Sequence, residues 1–236
     1  MVKTIKELLD GNTYPGRGII TGKSKDGNSA VVAYFIMGRS ENSRNRIFEI
    51  ENDSLFTKPF DKSKVKDPSL IIYRASANNK NHYIITNGDQ TDTIDTALNQ
   101  NSTFKDALDT RFYEPDKPNY TPRISSIINF NDNDFNYEMA ILKKAKDSDD
   151  CIRIYKEYIS KNGIGHLIHT YDCDGSPIPS FSTDPKELEI ENDIDTFSKR
   201  IWDSLDKDNK ISLFVRYIDI KSKNTTDKIY NKNLGD

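Results

Sequence analysis

Four polar stretches follow or interrupt apolar runs in this sequence, and each carries side chains able to handle anions or protons. "GRSENSRNR" (38–46) closes the apolar run "AVVAYFIM" and sets Arg39, Arg44 and Arg46 within eight residues. Tyr73-Arg74 ends a second apolar run, "TNGDQTD" (86–92) a third, and "YEPDKPNYTPRI" (113–124) joins a helical pattern to a strand pattern. A guanidinium presents a planar fork suited to carboxylate or phosphate. Tyr and Glu side chains can pass protons. Backbone N–H groups opening a helix after Asn87-Gly88 would attract an anion. Each stretch also has a plainer reading: surface ion pairs for the arginines, and a turn with Asp89 or Asp92 as helix cap for "TNGDQTD".

The elements that must hold these residues are legible from periodicity. "MVKTIKELLDG" opens with a short helix, Thr4 and Glu7 standing at capping-box spacing. "GRGIITGK" and "AVVAYFIM" read as a hairpin about "SKDGN". A short strand is expected over 46–50, then a solvated connection, "DKSKVKDPS". "LIIYRAS" and "HYIITN" read as a second hairpin. "QTDTIDTALNQ" and "TFKDALDTRF" turn to helical spacing, with Ser102 as cap. "RISSIINF" and "FNYEMAILKKA" are strands about a DND turn. "CIRIYKEYI" reads equally as strand or helix, and "GHLIHTYD" as a strand. "DIDTFSKRIWDSL" is an amphipathic helix, and "ISLFVRYIDI" a strand. The last 16 residues, from Lys221, are polar and are expected to fray. Strands, two helices, strands, one helix and a strand are not the alternation of a doubly wound sheet. The expectation is one α+β domain over 1–236, with two mainly antiparallel sheets and outer helices.

Composition narrows the function. The chain has 236 residues, net charge −3, and 35 % apolar residues enlarged by 12 Tyr and 11 Phe. No apolar run spans a bilayer, and the N-terminal residues lack a signal-peptide core, so a soluble cytoplasmic protein is expected, with no membrane partner. The negative charge speaks against nucleic acid as partner. Seven of ten arginines fall within the first 123 residues, against 24 lysines spread throughout. That bias suggests one anion site rather than a basic face. Cys151 and Cys173 form no metal or disulfide pattern. His82, His166 and His169 show no metal spacing, and no Walker loop, nucleophile elbow or dinucleotide glycine motif is present.

Together, "YPGRGI" (14–19), "YFIMGRSENSRNR" (34–46), Tyr73, "ITNGDQTD" (85–92), "YE" (113–114) and "NYTPRI" (119–124) resemble the archaeal-type inosine monophosphate (IMP) cyclohydrolase family. A weaker likeness runs through "GHLIHTYDCDGSPIPSF" (165–181). Asp89-Gln90 depart from the form "NGSHTD" expected of the family. The resemblance implies a four-layer αββα sandwich like that of the N-terminal-nucleophile hydrolases. Met1-Val2 offers no N-terminal nucleophile. It also implies cyclisation of 5-formamidoimidazole-4-carboxamide ribonucleotide to IMP with loss of water, in purine biosynthesis. Such a reaction needs orientation, an oxyanion donor and proton transfer, and requires neither metal nor cofactor. Arg39 and Arg46 would then bind the 5′-phosphate or the oxyanion, helped by Ser40 and Asn45. Asn87, Gly88 and Asp92 would position base and ribose, and Arg123 would complete the anion contacts. Tyr73 and Glu114 would transfer protons, with Arg39 serving catalysis beside them and His169 in reserve. An amidohydrolase acting on a related ribonucleotide and a noncatalytic nucleotide-binding protein are the alternatives. Self-association into a homo-oligomer is left open.

Overall fold

The computed structural model describes residues 2–65 and 72–236. The expected connection and strand over Lys66 to Ile71 lie outside the described residues. From the start the chain runs α1 (Ile5–Leu9), β1 (Arg17–Lys23), β2 (Ser29–Met37), α2 (Glu41–Arg44), β3 (Ile47–Glu51) and β4 (Ser54–Lys58). Next come β5 (Tyr73–Arg74), β6 (Ser76–Asn79), β7 (His82–Thr86), α3 (Gln90–Asn99), α4 (Phe104–Asp109), β8 (Arg123–Phe130) and β9 (Phe135–Lys144). It closes with β10 (Cys151–Ile159), β11 (Ile164–His169), β12 (Lys186–Glu189), α5 (Ile194–Ser204), β13 (Lys210–Asp219) and β14 (Thr225–Asn231).

The fold is α+β, and its strands form three antiparallel sheets among the described residues. The six-stranded sheet has the order β12-β11-β1-β2-β13-β14, the five-stranded sheet β10-β9-β8-β7-β6, and the small sheet β3-β4-β5. The expectation of two sheets is corrected here. The backbone changes sheets at Ala75, whose N–H donates to Leu55 O (2.7 Å) while its carbonyl accepts from Thr86 N–H (2.8 Å). Tyr73–Arg74 therefore pair with β4 and Ser76–Asn79 with β7, so one apolar run serves two sheets.

Three apolar clusters explain the patterns. Between the large sheets, Ile19, Val32, Tyr34 and Phe214 meet Ile85, Ile124, Tyr137 and Met139. The other face of the six-stranded sheet packs Ile20, Val31, Phe35 and Val215 against α1 and α5, chiefly Ile5, Phe197 and Ile201. The outer face of the five-stranded sheet packs Ile84, Ile127 and Leu142 against Ile94, Phe104 and Leu108 of α3 and α4. β2 is apolar from Ala30 to Met37 because alternate side chains enter two different cores. Each such residue adds about 1.5–3 kcal/mol by leaving water.

Several local expectations change. The arginine stretch, read as loop, holds the one-turn helix α2, capped by Ser40, whose side chain accepts from Ser43 N–H. Thr103, not Ser102, caps α4 through a capping box with Asp106. "CIRIYKEYI" is a strand at the edge of its sheet. The polar residues after Lys221, expected to fray, include β14. This strand pairs with β13 over Ser212–Ile218 and holds Asp227 against the buried Arg216. None of the described helices is long and apolar enough to cross a membrane.

Candidate functional site

Strand register gathers the polar stretches. Arg17 lies opposite Ile36, so the start of β1 meets the end of β2, and Gly18 lies opposite His169, so the end of β11 joins them. The chain leaving each strand borders a cavity of ≈ 250 Å³, with Arg17, Arg39, Ser40, Arg46, Glu114 and Tyr171 in its wall. Gly16 makes the turn into β1 at φ +79°, where an added Cβ would stand 2.3 Å from Thr170 Oγ1.

Arg46 is buried, 3 % exposed, and its partners are carbonyls: Nε donates to Ser43 O (2.8 Å) and Nη2 to Met37 O (3.1 Å). It has no carboxylate partner among the described residues. Burial and the neighbouring Arg17 pull its pKa below the usual arginine value. Arg17 is the opposite case. Its Nη1 lies 2.5 Å from Glu114 Oε1 and 3.0 Å from Asn87 O. Burial opposes its charge, but Glu114, Tyr73 and Tyr34 outweigh that, and its pKa rises well above the usual value. Glu114 is 3 % exposed, and its N–H donates to Thr121 O (2.9 Å), which holds the carboxylate toward the cavity and Arg17. A carboxylate acceptor, an arginine fork bound to it and a second fork lacking a counter-ion thus share one wall. That set can bind an anion and accept a proton.

The remaining candidates sort by position. Arg39 stands at the mouth, paired with Asp174, donating to Gly175 O (3.0 Å), with its guanidinium 4.9 Å from the Tyr14 ring centre. Ser40 lines the cavity while capping α2. Asn45 is turned away, where its side chain exchanges hydrogen bonds with the Asp61 backbone (2.7 and 2.8 Å). Arg44 donates to Asp208 O (2.7 Å) and Asn209 Oδ1 (3.1 Å). Tyr73 is buried behind the cavity, its hydroxyl 2.7 Å from that of Tyr34, and burial raises the Tyr34 pKa.

The "NGDQTD" stretch does not line the cavity. It lies behind two residues that do, with Asn87 O accepting from Arg17 Nη1 (3.0 Å) and Glu114 Oε1 3.6 Å from where a Gly88 Cβ would stand. Asn87 Nδ2 donates to Pro122 O (2.9 Å), and Oδ1 accepts from Ile124 N–H (2.9 Å) and Gln90 Nε2 (2.9 Å). Its side chain therefore splices β7 to β8. At Gly88 a Cβ would come within 2.7 Å of Arg123 Nη1 and of Gln90 Oε1, so a larger residue would displace the ends of these two side chains. Arg123 is packed beneath, donating to Phe112 O (2.9 Å), Asp89 (2.6 Å) and Gln90 Oε1 (2.8 Å). Asp89 and Gln90, the departure from the expected form, are thus the partners of Arg123. Asp92 lies apart from the cavity, paired with Arg74 at 2.8 Å.

The structure adds residues that had no assigned role. Arg17 and Tyr14 belong to "YPGRGI", and an arginine opening a buried strand was the available signal. Tyr171, stacked on Tyr14 (ring centres 5.9 Å, 19° between planes), places its hydroxyl 2.5 Å from Thr121 Oγ1. The Thr121 hydroxyl in turn donates to Asp116. Below Tyr171, the wholly buried His169 donates from Nδ1 to Tyr171 O (2.8 Å), while Nε2 has no partner among the described residues. Burial pushes its pKa down to about 4. Among the described residues no group of three or more His, Cys, Asp and Glu side chains is arranged to hold a metal ion.

A family model described as "IMP cyclohydrolase-like protein" matches residues 14–224. No curated protein matches the chain.

Proposed function

Because the chain belongs to the IMP cyclohydrolase-like family, we propose that it closes the second purine ring, converting 5-formamidoimidazole-4-carboxamide ribonucleotide to IMP and water. The observation that carries this reading is the pairing of opposites in the cavity wall. Among the described residues Arg46 is buried with no counter-ion, and Glu114 is a buried carboxylate aligned by Arg17. An anionic substrate that must also lose an amide proton fits both.

In this reading the carboxamide nitrogen attacks the formyl carbon while its N–H donates to Glu114, which takes the proton. Arg46 balances the charge gathering on the formyl oxygen or holds the 5′-phosphate. Arg39 closes over the substrate after exchanging Asp174 for it. Tyr73, its hydroxyl paired with that of Tyr34, protonates the oxyanion to the carbinolamine hydroxyl. Glu114 then returns its proton to that hydroxyl, which leaves as water, while the formamide-derived N–H gives its proton back to Tyr73, so both groups end as they began. Ser40 contributes a neutral donor at the mouth. Asn87, Gly88 and Arg123 act from behind Arg17 and Glu114, holding them in place, and Asn45 holds the chain that carries Arg46. Asp92 acts only through Arg74 and α3. The nucleophile belongs to the substrate, so rate comes from holding the reacting groups close and from proton transfer.

The same reading treats the chain as one domain with helix, sheet, sheet and helix layers of the N-terminal-nucleophile-hydrolase kind. The three apolar clusters support that layering. The test is incubation with the formylated ribonucleotide while purine absorbance is followed. Growth of the purine chromophore is expected. Formate release without it indicates amide hydrolysis, and binding without change indicates a nucleotide-binding protein.

A further inference from the structure

β10 is an unprotected sheet edge. Ala145 N–H donates to Asp150 O (2.9 Å), so the even-numbered residues that follow bond to β9. By alternation the N–H and C=O of Cys151, Arg153, Tyr155, Glu157 and Ile159 point outward. Of these outward groups, only Cys151 O has a partner among the described residues, Arg153 Nη1 at 3.2 Å. An edge of nine residues without proline or bulge is a template for another strand. The other edges of the two large sheets are managed. β6 and β12 are four residues long. β14 is tied to β3 through Asn231, which accepts from Phe48 N–H (2.8 Å) and donates to Phe48 O (3.0 Å). β10 also carries two exposed apolar side chains, Ile152 at 41 % and Ile159 at 82 % exposure.

We propose that β10 pairs with β10 of a second copy of this chain, antiparallel about a two-fold axis at Tyr155, so that two five-stranded sheets become one. The residue types select this partner and register. With Tyr155 opposite itself, Arg153 faces Glu157 of the other copy, and Glu157 faces its Arg153. Ile152 faces Tyr158, and Ile159 faces Cys151. Opposite charges meet twice and apolar groups meet on both faces, as cross-strand pairs require. The neighbouring registers are worse. A two-residue shift sets Arg153 against Arg153, or Glu157 against Glu157. The chosen register also sets Lys156 against Ile154, but moving the axis by one residue sets Lys156 against Lys156, or Arg153 against Tyr155 and Glu157 against Cys151, so that neither alternative forms the Arg153–Glu157 pairs. Glu157 is free to turn, since its one side-chain partner among the described residues is Asn136 at 3.4 Å. An isologous contact of this kind closes as a dimer and leaves no free β10 edge.

Light scattering and sedimentation of the whole protein should give twice the 27.0 kDa chain mass. Glu157→Arg places like charges opposite each other and should weaken the dimer by at least about tenfold in Kd. The exchange Arg153→Glu with Glu157→Arg should restore it. Register is read separately. In a background with both native cysteines replaced by serine, Tyr155→Cys should form an intermolecular disulfide on mild oxidation, because only this position meets itself. Arg153→Cys alone should not. Thermal melts establish that each variant is folded, and Tyr155→Cys needs only the folded chain to report. A monomer at every concentration up to the millimolar range overturns the proposal. So does a dimer that is indifferent to Glu157→Arg and fails to cross-link at position 155.

Discussion

Two arginines are almost wholly buried at different places in the molecule, and they keep opposite company. Arg216, 1 % exposed on β13, forms a bidentate pair with Asp227 (both contacts 2.7 Å) and a third contact with Asp53 (2.7 Å). Its guanidinium also lies between the rings of Tyr83 and Phe214, 5.4 and 5.5 Å from their centres. Burial opposes the charge, but Asp227 and Asp53 more than offset it, and the pKa is raised. Arg46, 3 % exposed, receives only two carbonyls and stands near another cation, so its pKa is lowered. Desolvation is common to both, and the counter-ion is what differs. A buried guanidinium with its carboxylates in place fastens elements together, here β13, β14 and the β3–β4 turn. One without them is half of an ion pair, left open at the wall of a cavity.

The largest expected effect lies on the cavity side. Glu114→Gln keeps volume but turns an acceptor-only group into one that also donates. On the proposed reaction it should lower kcat by about 10²–10⁴ while product affinity changes little. Near-normal turnover in the folded variant would move proton transfer to Tyr73 and leave Glu114 as a partner of Arg17 only.

A direct comparison follows from methionine at each arginine. Arg216→Met strands Asp227 and Asp53 and should cost about 2–3 kcal/mol in denaturant unfolding. That is below the usual loss on breaking a buried pair, because both aspartates keep some solvent. Arg46→Met strands no carboxylate, so its stability should change by less than about 1 kcal/mol. It should instead abolish the stabilisation that phosphate or nucleotide confers on the wild type. Equal destabilisation by the two substitutions would break the distinction drawn above.

Acid should act through the cavity side as well. Burial holds the folded His169 pKa at about 4 against 6.5 for the free side chain. Between these values the unfolded chain carries a proton that the folded one does not. The His169 contribution is therefore complete above pH 6.5 and declines as pH falls toward 4, by up to about 3–4 kcal/mol. His169→Gln should flatten that stretch of the stability profile. An unchanged slope would show that other groups govern the acid limb.

The smallest effect is expected at the mouth. Arg39→Lys retains the charge but loses the planar fork, and should weaken substrate binding or turnover by about tenfold, roughly 1.4 kcal/mol. Unaltered kinetics would leave Arg39 as a surface partner of Asp174.

Much of this was readable before folding was considered. Strand and helix positions followed from alternation and from caps such as Thr4 with Glu7. The arginine stretch, "YE" and the glycine at 88 were visible as chemistry looking for a place. Others were not. Asn45, Asn87 and Arg123 have the residue types of ligand donors. Their side chains are engaged by the Asp61 backbone, by Pro122 and Ile124, and by Asp89 with Gln90. Those partners are up to 37 positions away in sequence, and no local pattern reveals them. β14 was hidden for the related reason that a polar edge strand owes its order to its neighbour rather than to its own apolar content.

By itself the sequence determined most of the elements, though not α2 or β14, because periodicity and capping act over a few residues. It also determined the family, because the spaced motifs lie in linear order. Only the tertiary structure decided which charges are spent. Whether an arginine finds a carboxylate depends on antiparallel register. That register set Arg17 beside Glu114 and Arg216 beside Asp227, and left Arg46 facing the cavity with carbonyls alone. Desolvation, which makes that difference matter, exists only once the sheets have packed.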